Sequence, residues 1–383
     1  MQKKKDDLLL LVIVVLFWFA QYVFVPFLSP HLTTLGITAS FAGVIMGAYG
    51  MSQLILRIPI SVGEDVSGKH KLFVVAGLVV LAAAVAIPLV SASPVAYLIA
   101  RTLTGVSAST WVSYTAAFTQ NAEDVKSRMG RLIAANNLGM LLAYAASGFL
   151  YELMGMNGLF ATSMVCALFA ALLALRWRPE KVQATGKFDM KVVMRTVSNR
   201  HLLKCSLLTA LGQLVIFATS SSFVSNFAKD LGADSVMLSI IAAAFNALGV
   251  VTSWAYARGT LKRLSERGQL LLAFAVLALY CALLPLCTAP WHVALAQMVG
   301  GAARAVMYTL LMAIAPREIP AEAKTTATGV FQSVYSLGMT AGPMVMGALI
   351  DLSGSYATSF LMMGGVSLIG VVWSALAFSK QDA

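Results

Sequence analysis

Apolar residues lie along the chain in long runs that are separated by short polar stretches. A helix needs about 20 apolar residues to cross a bilayer core about 30 Å thick. Twelve such runs occur, and they predict an all-α membrane protein with twelve transmembrane helices. The predicted spans are 8–29, 38–60, 72–91, 94–118, 128–151, 156–177, 202–228, 235–257, 269–288, 291–315, 326–351 and 355–378.

The first apolar run is expected to remain in the protein as a transmembrane helix. A cleaved signal peptide has an apolar core of about 7–15 residues followed by small residues at the cleavage site. The run from Leu8 to Leu28 is longer, and Pro26 and Pro30 occur at its end. We therefore interpret it as an uncleaved first span.

One connection is longer and more polar than the others. Residues 178–201 are basic, contain Pro179 and Gly186, and divide the spans into two groups of six. The predicted domains are a six-helix bundle over 1–178, a cytoplasmic linker over 179–201 and a second six-helix bundle over 202–383. Within the linker, Met190–Val197 fits either an amphipathic helix on the inner membrane surface or a solvated segment.

The two groups of spans repeat each other. An offset of 196 residues, increased by three after one inner loop, pairs turn and packing residues of the two halves. The pairs include Gly36 with Gly232, Pro94 with Pro290, Gly105 with Gly301, Gly148 with Gly347 and Glu152 with Asp351. Parallel six-span repeats are a transporter architecture in which the substrate site lies between the halves near the membrane midplane. The repeat therefore predicts two pseudo-symmetric bundles around a central cavity.

The composition indicates that lipid is the main solvent of the fold. The chain is 59% hydrophobic and only 11% charged, with a mean hydropathy of +0.82. Soluble domains carry about 25% charged residues. A chain with so few polar groups cannot cover the surface of a soluble fold of this size.

The distribution of cations predicts the orientation of the chain. With the N-terminus inside, the inner loops, the linker and both termini hold nearly all loop cations, and the outer loops hold only Lys229. Cytoplasmic loops of membrane proteins carry an excess of Lys and Arg. We therefore expect a multi-pass protein of the cytoplasmic membrane with both termini in the cytoplasm. The same asymmetry explains the net charge of +11 without a nucleic-acid partner.

Few residues suit metal binding, redox chemistry or catalysis. The four cysteines lie in or beside apolar runs without C-x-x-C spacing, as small buried side chains do. The four histidines are far apart in sequence, and no H-E-x-x-H, G-x-S-x-G or phosphate-binding loop occurs. We expect no cofactor, no metal and no enzyme activity, and keep a membrane-embedded enzyme as a remote alternative.

The loop after the second span resembles a motif of the major facilitator superfamily. Residues 57–71 resemble the inner-loop pattern G-x-x-x-D-R-x-G-R-K, with Asp65 at the acidic position and Gly68 at the second glycine. Ser61 and Val66 depart from the pattern at the first glycine and at the arginine. The resemblance implies that Asp65 and Gly68 form a latch that holds one conformation closed.

Two further segments resemble motifs of proton-coupled exporters of this superfamily. The fourth span contains Arg101-x-x-x-Gly105, which resembles their R-x-x-x-G motif. The eleventh span contains Gly338 and Gly342-Pro343, which resemble a glycine–proline motif that those exporters carry in the fifth span, where this chain has Tyr144 in place of proline. The resemblance implies that these glycines and Pro343 serve in helix packing or as hinges.

The resemblance covers essentially the whole chain and implies that the first, fourth, seventh and tenth helices line the cavity. On the tenth span Gln297, Arg304 and Tyr308 share one helical face with Gly301. The candidate cavity residues are Trp18, Gln21, Arg101, Trp111, Gln213, Phe217, Gln297, Arg304 and Tyr308.

The charges of the predicted spans bear on the substrate. No Asp or Glu falls in the middle of a predicted span, whereas Arg101 and Arg304 do. An arginine at membrane depth faces a wet cavity or a partner. This pattern favours anionic, zwitterionic or polar neutral substrates. The candidate proton sites are Glu152, Asp351 and His31, all near span ends.

The predicted function is secondary active transport of a small organic solute by alternating access. The exporter-like motifs indicate proton-coupled export by a monomer embedded in the lipid bilayer. The alternative that the paired arginines favour is an organic-anion uptake system or exchanger. A sensor or scaffold without transport activity is a further alternative, and the cavity arginines argue against it.

Overall fold

The structure is a computed structural model that describes residues 2–119, 124–179, 190–261, 263–320 and 323–378. Within these ranges the secondary structure is helical and contains no strand. Ten helices of the described ranges are long and apolar enough to cross a membrane. The fourth span is broken into two shorter helices, and the fifth and sixth run on as one long helix, so the same chain forms twelve spans.

The helices follow the predicted spans closely. In the first half they are Gln2–Tyr22 with Val25–Thr34, Ala39–Ser67, His70–Val90, Pro94–Ser109 with Trp111–Thr119, and Val125–Arg176, which holds the fifth and sixth spans. In the second half they are Arg200–Ala218 with Thr219–Phe223 and Val224–Asp230, Ser235–Ala257, Glu266–Leu283 with Leu284–Leu286, Pro290–Ile314, Lys324–Ser353 and Tyr356–Ala377. The second span is longer than predicted, because it continues to Ser67 rather than ending near residue 60.

Local residue chemistry explains where spans begin and break. Ser93 caps the fourth span by accepting a hydrogen bond from the Ala96 backbone, as serine commonly does at a helix start. The same span breaks at Thr110, whose hydroxyl donates to the Ser107 carbonyl and competes with the helical ladder. Between the fifth and sixth spans Gly155 has φ +62°, a conformation that favours glycine.

The linker segment 190–197 is a helix, Met190–Val197, that contacts the eleventh span. Thr196 is buried and Met194 is exposed. Residues 180–189 of the predicted linker lie outside the described residues. The side of the molecule that carries this helix and both described chain ends is termed the linker side, and the opposite side is termed the far side.

The two bundles meet through the second and eleventh spans and through the fifth and eighth spans. Glycines allow these helices to approach closely, as in other membrane bundles. Gly347 of the eleventh span lies against Ala39 of the second, and Gly148 of the fifth lies against Ser235 of the eighth. These two contacts are equivalent under the sequence repeat, so the pseudo-symmetry extends to the interface.

Candidate substrate cavity

A small cavity lies between the two bundles, with about the room that one water molecule needs. The first, second and fourth spans line it from the first bundle, and the seventh span lines it from the second. The lining residues are Gln21, Tyr22, Val25, Tyr49, Arg101, Phe217 and Ser221. Three of the residues predicted from sequence, Gln21, Arg101 and Phe217, are therefore brought together here.

Arg101 is buried in the wall of this cavity without a carboxylate partner. Its side chain is 6% exposed, and its guanidinium carbon lies 4.6 Å from the centre of the Tyr49 ring. Nε of Arg101 has no hydrogen-bond partner, and no described carboxylate forms an ion pair with it. A ring face compensates a buried cation only in part, so the site favours an anion close to Arg101.

Gln21 lines the cavity, whereas Trp18 and Trp111 lie outside its lining. Gln21 and Trp18 both carry buried polar atoms without a partner. The Gln21 amide donates to the Thr104 carbonyl over 3.1 Å, which fixes the side chain against the fourth span. Its Oε1 has no partner, and neither has Nε1 of Trp18. Trp18 packs edge-on against Trp111 with 5.3 Å between ring centres, so the two predicted tryptophans form one aromatic cluster.

The seventh span changes to a π-helix where it reaches the cavity. Thr219–Phe223 forms one wide turn, a feature that is frequent at functional sites. Ser221 in this turn lines the cavity. The neighbouring Ser220 accepts a hydrogen bond of 3.1 Å from Gln297 of the tenth span.

Two predicted glutamines lie away from the cavity lining. Gln297 is 1% exposed, and its Oε1 accepts from the Tyr280 hydroxyl over 2.7 Å. Because its amide also holds Ser220, it connects three spans of the second bundle. Gln213 is buried in the seventh span with Oε1 unpaired. A direct substrate contact for either glutamine stays a prediction.

Arg304 and Tyr308 lie on the tenth span, outside the cavity lining. Both are half-buried, and the Arg304 guanidinium lies 5.9 Å from the centre of the Phe245 ring. Arg101 belongs to the first bundle and Arg304 to the second.

A third arginine, Arg57 of the second span, joins the two bundles. It is 4% exposed and donates to Gln332 over 2.8 Å and to the Tyr335 hydroxyl over 2.9 Å, both in the eleventh span. It also bonds Gln53 of its own helix. Sequence reasoning missed this role, because Arg57 lies at the end of an apolar run, where an arginine is expected to reach the membrane surface.

Further contacts join the two bundles on the far side of the molecule. The Asp351 carboxylate accepts from the backbone of Ala39 and Ser40 over 3.1 and 2.8 Å, at the start of the second span. Ser147 and Ser239 share a hydrogen bond of 2.8 Å between the fifth and eighth spans.

The sequence matches a known protein family over nearly its whole length. The family model of the Major Facilitator Superfamily (MFS) matches residues 10–294 and 206–382. The chain belongs to the Major Facilitator Superfamily. It is accordingly a multi-pass membrane protein of the MFS transporter family.

Individual MFS proteins resemble the chain at low identity. An uncharacterised MFS-type transporter of Methanocaldococcus jannaschii is 20% identical over 341 residues, which cover 86% of this chain and 87% of the relative. The multidrug resistance protein MdtG of Dickeya zeae is 24% identical over 258 residues, which cover 64% of this chain and 61% of the relative.

Solved MFS structures share the fold. A variant of the nucleoside transporter NupG superposes with a TM-score of 0.84 at 14% identity, covering 98% of this chain and 100% of its own. A bacterial homologue of the human lysosomal transporter Spinster superposes with a TM-score of 0.79 at 13% sequence identity, and the match covers 98% of this chain and 97% of the homologue. The human organic anion transporter MFSD10 superposes with a TM-score of 0.73 at 16% sequence identity, and the match covers 98% of this chain and 100% of MFSD10. At these identities the likeness shows the MFS fold alone.

In the MFS loop motif the buried acid is Glu64. Glu64 is 1% exposed, pairs with Nδ1 of His70 and accepts from the Ser113 hydroxyl over 3.0 Å. Nε2 of His70 is buried without a partner. The side chain of Asp65 lies outside the described residues, and its latch role stays a prediction. Gly68 ends the second span in the left-handed conformation, with φ +62°.

The three candidate proton sites lie away from the cavity. Glu152 and Asp351 are exposed on the far side, and Asp351 holds the start of the second span. His31 is half-buried, and its Nε2 lies 2.8 Å from the Tyr97 hydroxyl. A proton-carrying role for any of them stays a prediction. In the described ranges no group of three His, Cys, Asp or Glu residues is placed to hold a metal ion.

The glycines of the exporter-like motifs lie at close helix contacts. Gly105 lies against the Tyr49 carbonyl, and Gly338 and Gly342 lie against the backbone of the seventh span. The equivalent of Gly105 under the repeat, Gly301, contacts the Phe245 carbonyl. A side chain at these positions would push the helices apart. The additional hinge role of Gly342 and Pro343 stays a prediction.

Proposed function

We propose that the chain is a secondary active transporter of a small organic anion, zwitterion or polar amphipathic compound. The observation that carries this proposal is Arg101, a buried guanidinium without a carboxylate beside a cavity between the two bundles. Transporters of the same architecture hold substrate at such a place, near the midplane between the repeats. A carboxylate, sulfonate or phosphate on the substrate would supply the missing negative charge.

Alternating access is the proposed mechanism. The two bundles, proposed to be residues 1–178 and 202–383, would rock about the central site and expose it to one side at a time. The Arg57 bonds and the far-side contacts through Asp351 and Ser147 would then break and re-form during the cycle. We propose that the linker side faces the cytoplasm, because the positive-inside rule assigns the basic loops to it.

Proton-coupled export is the proposed direction and energy source. It is supported by the resemblance of Arg101-x-x-x-Gly105 to the exporter motif and by the relative that is named a multidrug resistance protein. Candidate proton carriers are Glu152, Asp351 and His31, together with the buried Glu64–His70 pair. The second candidate function is organic-anion uptake or exchange, which the uncompensated Arg101 favours equally.

The test is binding of organic anions by purified protein, followed by transport in proteoliposomes. A thermal-shift screen of carboxylates, sulfonates and phosphates identifies an anion that binds. Arg101→Gln is expected to weaken its binding about 10- to 100-fold, the loss expected for a charged hydrogen bond. The matched control is Arg258→Gln, which removes an exposed arginine at the linker end of the eighth span and should leave binding unchanged.

Transport of the same anion separates the two candidate functions. An imposed pH gradient should drive a proton-coupled exporter, whereas an exchanger should respond to anion on the opposite side and ignore the gradient. Tight binding of a lipophilic cation that both Arg101→Gln and Arg304→Gln leave unchanged would contradict the proposed substrate class.

A further inference from the structure

The cavity between the bundles is too small for an organic solute in the conformation described here. It has about the room that one water molecule needs. In this state it can therefore hold a water molecule or a single-atom ion of similar size. The charge and the hydrogen-bonding groups of the lining determine which of the two it favours.

The charge beside the cavity is positive and lacks a counter-charge. Arg101 lines the cavity and is 6% exposed. Its guanidinium carbon lies 4.6 Å from the centre of the Tyr49 ring and 6.0 Å from that of the Phe24 ring. No described carboxylate forms an ion pair with it. Ring faces offset a buried cation only in part, so an anion in the cavity would lower the cost of burying Arg101.

Most other polar groups of the lining can donate hydrogen bonds. Tyr22, Tyr49 and Ser221 each carry a hydroxyl group, which can donate to an anion. None of the described lining residues is acidic. Hydroxyl donors beside one guanidinium, without a carboxylate, stabilise an anion in a site of low dielectric.

One lining group favours water instead. The Gln21 amide nitrogen donates to the Thr104 carbonyl over 3.1 Å, and Oε1 of Gln21 is buried without a partner. A water molecule could donate to this oxygen, whereas an anion could not. However, an unpaired buried charge costs more free energy than an unpaired buried amide oxygen. The balance therefore favours an anion at Arg101.

We propose that Arg101 binds a small halide ion in the closed cavity, with chloride as the natural occupant. The inference rests on the proposed function, because the acidic group of a transported anion would replace this ion when the bundles move apart. The ion would thus compensate the buried guanidinium whenever substrate is absent. It would also compete with the substrate for one site.

The experiment measures halide binding through thermal stability. The full chain in detergent is placed in a sulfate buffer, and chloride, bromide or iodide then replaces sulfate at constant ionic strength. A ligand that binds only the folded state raises the melting temperature with its concentration. We expect saturable stabilisation by chloride, with a dissociation constant at least about tenfold lower than that of iodide, because an oversized atom strains a closed cavity. Adsorption to exposed cations follows the opposite order, because iodide is the most weakly hydrated of the three.

Variants assign the effect to the cavity. Arg101→Gln should abolish the stabilisation by chloride. Tyr49→Phe, which removes a hydroxyl group and keeps the ring, should weaken chloride binding roughly two- to tenfold. The matched control is Arg258→Gln, which removes the same charge at an exposed position of the eighth span and should leave the response unchanged. If Arg101→Gln does not fold, the order of the halides on the unaltered chain and the response of Tyr49→Phe decide the outcome.

Competition links the ion to the transported anion. For an organic anion found in the screen, chloride at about ten times its own dissociation constant should raise the apparent dissociation constant about tenfold, since the two ligands exclude each other by mass action. An unchanged constant would contradict a shared site.

The possible failures are distinguishable. The absence of saturable stabilisation by chloride, an affinity that rises from chloride to iodide, or a chloride response that Arg101→Gln retains would each overturn the halide site. Binding of an organic anion that Arg101→Gln weakens would in that case still support the proposed function. Conversely, a chloride response that requires Arg101, without any organic anion that binds, would support the ion and contradict the proposed substrate class.

Discussion

At the scale of single residues, the buried arginines differ in what surrounds them. Arg57 donates to Gln332, Tyr335 and Gln53, so its charge is distributed over neutral oxygen acceptors inside the protein. Arg101 has the ring faces of Phe24 and Tyr49 instead, and Nε is buried without a partner in both arginines. Because a buried cation without acceptors is costly, Arg57 is suited to hold the bundles together and Arg101 is suited to receive a ligand.

The first prediction concerns Arg57. Arg57→Met removes two charge-assisted hydrogen bonds to the eleventh span and leaves the acceptor of Gln332 buried. We expect the free energy of unfolding to fall by about 2–4 kcal/mol. The melting temperature in detergent, followed by intrinsic fluorescence, measures the change. Arg258→Met, at an exposed position, should cost less than about 0.5 kcal/mol, and an equal loss in both variants would contradict the assigned role of Arg57.

At the scale of helices, the apolar runs predicted the spans well and their interruptions poorly. Most span ends agree to within a few residues, because the length of an apolar run is set by the bilayer, and the first and second spans extend about five to seven residues further than predicted. The break at Thr110 and the π-helix at Thr219–Phe223 have no such signal. Thr110 packs on Gly77 of the third span, and a break of this kind depends on contacts that the local sequence does not specify.

The second span shows the same limit. Its polar end resembles a loop in sequence, yet the helix continues past Glu64 to Ser67. His70 and Ser113 satisfy the Glu64 carboxylate, and this tertiary pairing allows a charged residue to remain inside a helix. Hydropathy alone treats such a residue as the end of a span.

The cavity was predictable only in part, for a related reason. Gln21 and Arg101 stand out in sequence because polar groups at membrane depth need partners. Tyr22 and Tyr49 do not stand out, since aromatic residues in a span are equally suited to the core or to lipid. Tyr49 also lies on the second span, which was not expected to line the cavity. Only the packing of the bundles places its ring nearly parallel to that of Phe217, with 6.5 Å between the ring centres.

The second prediction tests the close approach of the second and eleventh spans. A Cβ atom added at Gly47 would lie 2.5 Å from the Thr340 carbonyl oxygen, whereas one added at Gly130 would meet no atom within 4 Å. Gly47→Ala should therefore lower the melting temperature. Gly130→Ala should maintain or raise it, because alanine stabilises helix interiors relative to glycine by about 0.5–1 kcal/mol. Similar losses in both variants would contradict the interface.

At the scale of the whole molecule, the far-side contacts have to separate if the two bundles rock. Asp351 bonds the second span, Ser147 bonds Ser239, and Asn226 bonds Thr33 over 2.7 Å. All three contacts join the first bundle to the second. A covalent bond in their place should arrest the protein in the conformation described here.

The third prediction uses such a bond. In a chain whose four native cysteines are replaced by alanine, Ser147→Cys with Ser239→Cys should form a disulfide, because the two hydroxyl oxygens are 2.8 Å apart. Oxidation should stop transport of the identified anion in proteoliposomes, and a reducing agent should restore it.

A control pair lies within one bundle. Ser353 and Ser359 have hydroxyl oxygens 3.4 Å apart, and both belong to the second bundle. Cross-linking Ser353→Cys with Ser359→Cys should leave transport intact. Undiminished transport by the Ser147–Ser239 cross-linked protein would contradict alternating access through the far side.

The Asp351 contact makes the two far-side joints chemically unequal. Asp351 accepts from two backbone amides at the start of the second span, which belongs to the other bundle, whereas the fifth and eighth spans are joined through Ser147 and Ser239. One joint thus uses a carboxylate and the other is made by neutral hydroxyl groups. If the bundles rock, we expect the seam between the fifth and eighth spans to require less work to part, so that the molecule would open along that edge and pivot about the other.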